Sequence, residues 1–188
     1  MDLYFIRHAE TVFNVEKKYY GVMNPPLTEQ GIKRTITIAN ELSHLEFDQI
    51  YTSGLERTRQ TAAIICRENQ WSEKLIRSHP QLNEMNFGSW EGLTANQVAA
   101  VDSVAWANFM NEPFAIHPTG GESFASFKKR VLEEFSEIIK ENKANSTLLF
   151  VGHLGALRLI IQHYFEPETD YFNIEFSKAA LKNYILGE

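Results

Sequence analysis

A chain of 188 residues, 44% hydrophobic and 12% aromatic, has the length of one domain and enough apolar mass for a sizeable core. Its 18 Lys and Arg against 24 Asp and Glu leave a net charge of −6, which argues against nucleic acid or an anionic membrane as the main partner. One cysteine, Cys66, excludes an intrachain disulfide and fits a reducing cytosol. Residues 3–6 are too short for a signal-peptide core, and no apolar run approaches the roughly 20 residues of a membrane helix.

Four apolar residues, Leu3 to Ile6, read as a short, fully buried strand that runs into Arg7 and His8. Thr28, after Pro25-Pro26-Leu27, is placed to cap a helix through about Leu42. Phe47 to Thr52 is a weaker strand candidate. Ser53 with Glu56 three residues on has the form of a capping box opening a helix. The excursion of about residues 78–121 holds Pro80, Pro113, Pro118, Gly120 and Gly121, and predicts one helix around Ala95 to Met110; it reads as a lid or side subdomain. Phe127, Val131, Phe135 and Ile138 form the stripe of an amphipathic helix. Leu148 to Val151 is a second buried strand, closed by Gly152-His153 and followed by a helix, and Leu181 to Leu186 is a last strand. We read residues 1–188 as a single α/β domain, a three-layer α/β/α sandwich with a mostly parallel sheet and a lid insertion.

In open α/β sheets, ligands bind beyond the carboxyl ends of the strands. His8 and His153 each follow a buried strand, so parallel strands would bring both imidazoles to one rim. Arg57 falls in the first turn of its helix, where the macrodipole disfavours a cation and a bound anion would reverse the penalty. Taken alone, Arg57 reads as a solvated surface arginine. His44, His79, His117 and His163 read as surface or structural.

Taken in order, the motifs resemble the histidine phosphatase, or phosphoglycerate mutase-like, superfamily over nearly the whole chain. Arg7-His8-Ala9-Glu10-Thr11 with Asn14 resembles its signature at the first strand end. Leu27-Thr28-Glu29 with Gly31, and Ser53 with Glu56-Arg57-Thr58 and Thr61-Ala62, match the next blocks. Leu82-Asn83-Glu84, Phe87-Gly88 and Trp90-Glu91-Gly92 match its acid loop, Gly120-Gly121-Glu122-Ser123 a helix start, and Gly152-His153 the late strand end. Ala9 stands where the family more often has Gly, which implies that positive φ is not required there.

The resemblance implies a phosphomonoesterase with a phosphohistidine intermediate. His8 is the expected nucleophile, held neutral by neighbouring arginines. Arg7, Arg57 and, if protonated, His153 would neutralise the phosphate, Asn14 would add a neutral donor, and Thr11 and Leu154 complete the expected substrate-binding set. Glu84 is the expected general acid; without the resemblance it reads as a plain loop carboxylate. Glu10 and Glu91 are read as structural. Competing chemistries fail on spacing: Cys66 has Ser72 where a cysteine phosphatase needs Arg, and there is no Asp-x-Asp pair, Walker loop or zinc spacing. No metal and no cofactor are expected.

From Ser78 to Phe127 there is no Lys or Arg, which speaks against a second anionic group on the substrate. Trp106, Phe109, Met110 and Phe114 offer an apolar surface instead, or simply pack the lid. The lid blocks resemble those of α-ribazole phosphatases. The expected substrate is a small monophosphate, α-ribazole 5′-phosphate being one candidate. The alternatives are a broad-specificity phosphatase or phosphoglycerate mutase, and a catalytically idle phospho-ligand binding module. A cytoplasmic setting is expected.

Overall fold

The computed structural model describes residues 1–176 and 181–187; residues 177–180 and 188, inside the expected 1–188 domain, lie outside the described residues. The strands are β1 (Asp2–Arg7), β2 (Gln49–Ser53), β3 (Ile76–His79), β4 (Thr147–Gly152) and β5 (Leu181–Ile185). The α-helices are α1 (Val12–Val15), α2 (Glu29–Glu41), α3 (Glu56–Glu68), α4 (Ala95–Val101), α5 (Ser103–Asn111), α6 (Phe124–Glu141) and α7 (Leu154–Tyr164). The sheet order is β3-β2-β4-β1-β5. All neighbours are parallel except β5, which runs antiparallel to β1.

Strand periodicity splits the core into two layers. Leu3, Phe5, Leu148 and Phe150 pack against Phe127, Val131, Phe135 and Ile138 of α6 and Leu157 and Ile160 of α7. Ile6, Leu149 and Val151 point the other way, onto Ile38 and Ala39 of α2 and Ala62 and Ile65 of α3. This is the three-layer α/β/α sandwich, with a mostly parallel sheet.

Three local expectations change. β3 was not legible, because Ile-Arg-Ser-His at a sheet edge has no apolar run. The helix expected around Ala95 to Met110 breaks at Asp102, whose carboxylate caps α5 by accepting from the N–H of Ala105 at 3.2 Å. Ser53 is not the cap of α3: it is the last residue of β2, α3 begins after Leu55, and Leu55 makes no side-chain cap bond. The Ser53 hydroxyl is engaged elsewhere. Thr28 does cap α2, accepting from the N–H of Gly31 at 2.9 Å. Ala9 is not among the residues with positive φ.

Candidate active site

Arg7 pairs with Gly152 in the register of β1 and β4, so both strands release their next residue at the same rim. His8 and His153 follow with ring centroids 5.2 Å apart. His8, Arg57 and His153 are 3%, 1% and 1% exposed. Arg57 is therefore no surface arginine.

The His8 tautomer is set locally. Its Nδ1 lies 2.7 Å from the carbonyl oxygen of Ala9, which can only accept, so Nδ1 carries the proton and Nε2 keeps its lone pair. Ala9 is fixed in turn, its N–H donating to Thr61 Oγ1 at 3.0 Å, on α3. Burial, then Arg57 and Arg7, push the His8 imidazole well below its usual range. A neutral, correctly tautomerised imidazole is what a nitrogen nucleophile requires.

Arg57 is clamped from behind. Its Nη1 donates to the Met23 carbonyl at 2.7 Å and its Nη2 to that of Gly21 at 2.8 Å, and its guanidinium lies 4.7 Å over the Tyr20 ring. Each Nη keeps a second N–H, so the group is oriented without being exhausted. The loop that supplies these carbonyls is held by Glu91. Its Oε1 accepts from the N–H of Gly21 at 2.7 Å and of Val22 at 3.1 Å, and its Oε2 from Met23 at 3.3 Å. Gly21 is required here because a Cβ would run into the Met85 carbonyl. Glu91 is thus structural, as expected, and Glu10 accepts from the Thr28 hydroxyl at 3.0 Å.

His153 was expected to add a third charge if protonated. Burial first, then Arg57, His8, Arg7 and Arg130, hold it well below the usual imidazole range, which favours the neutral ring until an anion binds. Its Nε2 lies 2.7 Å from Ser53 Oγ. Ser53 Oγ also accepts from the N–H of Leu55 and lies 2.9 Å from Thr58 Oγ1, which donates to the Leu55 carbonyl. This donor count puts the Ser53 proton on Thr58 and makes His153 Nε2 the donor to Ser53. Nδ1 then becomes a donor only when a proton arrives, which a bound dianion favours.

The Nε atoms of Arg7 and Arg57 and the Nδ1 of His153 are buried with no hydrogen-bond partner among the described residues. Burying an unpaired donor costs about 1–3 kcal/mol. An anion between them would satisfy both guanidinium groups.

A chamber of about 380 Å³ adjoins this cluster, its lining including Arg7, Asn14, Glu84 and Leu154. Asn14 Oδ1 is engaged by Thr11, accepting from its N–H at 3.0 Å and from its hydroxyl at 3.2 Å, which leaves the amide nitrogen as a donor. Thr11 itself is fully buried, its hydroxyl is also 2.8 Å from that of Tyr20, and it does not line the chamber. Glu84 is anchored by two backbone donors: Oε1 accepts from Met85 at 3.1 Å and Oε2 from Gly155, in the first turn of α7, at 2.9 Å. A Cβ at Gly155 would collide with Glu84 Oε1.

Its lining also includes Phe109, Phe114, Phe124, Tyr171 and Phe172, with Lys18 and Arg158 as added cations. Trp106 packs on Trp90 and Tyr19 and does not line it, and Met110 is 61% exposed. Sequence reasoning missed Tyr20, Arg158, Tyr171 and Phe172. Only Arg158 had a signal, lying four residues after Leu154 and so on its helix face. Of the remaining histidines, His79 sits 2.5 Å from Glu134. Among the described residues no group of three His, Cys, Asp or Glu is arranged to hold a metal, and no helix is long and apolar enough to cross a membrane.

Residues 3–186 match the model of the histidine phosphatase superfamily, branch 1. The adenosylcobalamin/alpha-ribazole phosphatase of Salmonella typhimurium is 35% identical over 161 residues, 86% of this chain and 78% of that protein. Phosphoserine phosphatase 1 of Hydrogenobacter thermophilus is 31% identical over 158 residues, 84% of this chain and 73% of that protein. The crystal structure of the alpha-ribazole phosphatase from Shigella flexneri superposes with a TM-score of 0.88 at 30% identity, covering 97% of this chain and 89% of that one. A chain matched along this length, with a neutral imidazole ringed by guanidinium groups, belongs to the histidine phosphatase superfamily, branch 1, and is a phosphatase.

Proposed function

We propose that the protein hydrolyses a small phosphate monoester with an aromatic end, α-ribazole 5′-phosphate being the leading candidate, through a phosphohistidine on His8. The observation that carries this reading is the His8 geometry: Nδ1 tied to Ala9, Nε2 unprotonated, and unpartnered donors on Arg7 and Arg57 nearby. The aromatic chamber beyond it suits a flat heterocycle.

In the proposed reaction, His8 Nε2 attacks phosphorus and the ester P–O bond breaks. Arg7, Arg57, Asn14 and a His153 protonated on anion binding neutralise the phosphoryl oxygens, each donor contributing on the order of 10²–10³ in rate. Protonated Glu84 gives its proton to the leaving alkoxide. Glu84 carboxylate then takes a proton from water, the water oxygen attacks phosphorus, the P–N bond breaks, and phosphate leaves with His8 neutral again. Leu154 borders the phosphate end, and Thr11 acts through Asn14. Residues 78–121 serve as the lid of a single domain. The protein works in the cytosol without a nucleic-acid partner.

A second reading, a phosphoserine-type substrate, is favoured by one observation: Arg158 brings a guanidinium to the chamber from α7, where the lid itself has no cation. Comparing kcat/KM for α-ribazole 5′-phosphate, phosphoserine and 3-phosphoglycerate decides between them. Brief incubation with ³²P-labelled substrate should leave an acid-labile label on His8. Absence of that label in an active enzyme removes the covalent route, and faster turnover of the small acids removes the aromatic preference.

A further inference from the structure

We propose that Arg130 is the positioning residue that sets the place of Glu84 at the site; this rests on the reading of Glu84 as the acid. A guanidinium has five N–H donors in a fixed plane. In Arg130 all five are used. Nε donates to Glu122 Oε1 at 2.7 Å and Nη2 to Glu122 Oε2 at 2.7 Å. Nη1 donates to the carbonyls of Gln81 at 2.6 Å and Asn83 at 2.8 Å, and Nη2 to that of Glu84 at 3.0 Å. The three carbonyls lie within four consecutive residues that end on Glu84 itself.

The segment carries few other ties. Asn83 Oδ1 accepts from the N–H of Gly54 at 2.8 Å, and Leu82 is buried. Glu84 is thereby held from both ends: its backbone carbonyl by Arg130 on α6, its carboxylate by Gly155 on α7. The guanidinium also rests 5.0 Å from the Phe127 ring centroid. Glu122 neutralises its charge at bidentate distance, so removing Arg130 acts on the geometry of the acid loop more than on the field at the phosphate. No other side chain reproduces the fork: Lys presents its donors from one point, and Gln has two.

Misplacing a catalytic group by about 1 Å costs on the order of 10²-fold. Fold stabilisation alone would slow all substrates alike, so leaving-group dependence separates the two roles. In Arg130→Gln, kcat/KM for α-ribazole 5′-phosphate, whose leaving alkoxide needs a proton, should fall by roughly 10²-fold, while p-nitrophenyl phosphate should change by less than about threefold. Glu84→Gln should show the same asymmetry, and the double variant should be no slower than Glu84→Gln alone. Should Arg130→Gln fail to fold, Glu122→Gln, which leaves the guanidinium one acceptor oxygen in place of two, should show the asymmetry at smaller size. Equal losses on both substrates in the Arg130 or Glu122 variant, or losses that multiply with Glu84→Gln, overturn the proposal while leaving the acid reading intact. Equal losses in Glu84→Gln itself overturn both.

Discussion

His8 and His153 carry a pH dependence that belongs to single residues. Both are held below the unfolded imidazole value of about 6.5 by burial and by Arg57. Between the lowered native value and about 6.5 the unfolded chain binds protons that the native one does not, so stability is complete above that pH and lost as pH falls. Each histidine contributes a slope of up to about 1.4 kcal/mol per pH unit in this window. Denaturant melts at pH 5 to 7.5 should show falling stability toward acid, and His8→Asn with His153→Asn should flatten the slope. Inorganic phosphate should blunt the loss, because a bound anion favours protonated His153. A wild-type profile that is flat across this range removes the neutral-imidazole assignment.

At the scale of elements, the site is assembled by short backbone segments that side chains hold from a distance. Glu91 gathers the N–H groups of residues 21–23, and the carbonyls of Gly21 and Met23 then orient Arg57. Glu91→Ala should loosen the loop and weaken competitive inhibition by inorganic phosphate by roughly 10- to 10²-fold, the size expected for a misplaced guanidinium. Inhibition unchanged in a folded Glu91→Ala would show that the loop holds without it. The break at Asp102 follows the same principle on a smaller scale: one carboxylate capping α5 turns an expected single helix into two.

Over the whole molecule, elements far apart in sequence meet around one chamber. Phe114 from the 78–121 segment stacks on Phe172 at 5.3 Å, from the other end of the chain, and packs 4.4 Å from Phe124 on α6. Arg158 holds the far wall by donating to the carbonyls of Phe172 and Ile174. Removing one ring from such a cluster costs on the order of 1 kcal/mol in aromatic contact, so Phe114→Ala should lower kcat/KM for α-ribazole 5′-phosphate about fivefold. Phosphoserine, which has no ring to stack on Phe114, should serve as the unaffected control. A parallel loss on both substrates would mean that Phe114 acts on the fold instead.

Sequence alone determined the two buried strands ending at His8 and His153, the amphipathic stripe of α6, the helix carrying Arg57 and the order of the motifs. These are local properties: strand and helix periods are written in neighbouring residues. The neutral state of His153, the Ser53 hydroxyl turned onto it, the carbonyl clamp on Arg57, and the anchoring of Glu84 by Gly155 were decided by tertiary structure. The hydrogen bonds among these join groups 34 to 100 residues apart in the chain. No periodicity records such pairs, because burial and hydrogen bonding at a site are set by what the fold brings alongside and not by what stands next in the chain.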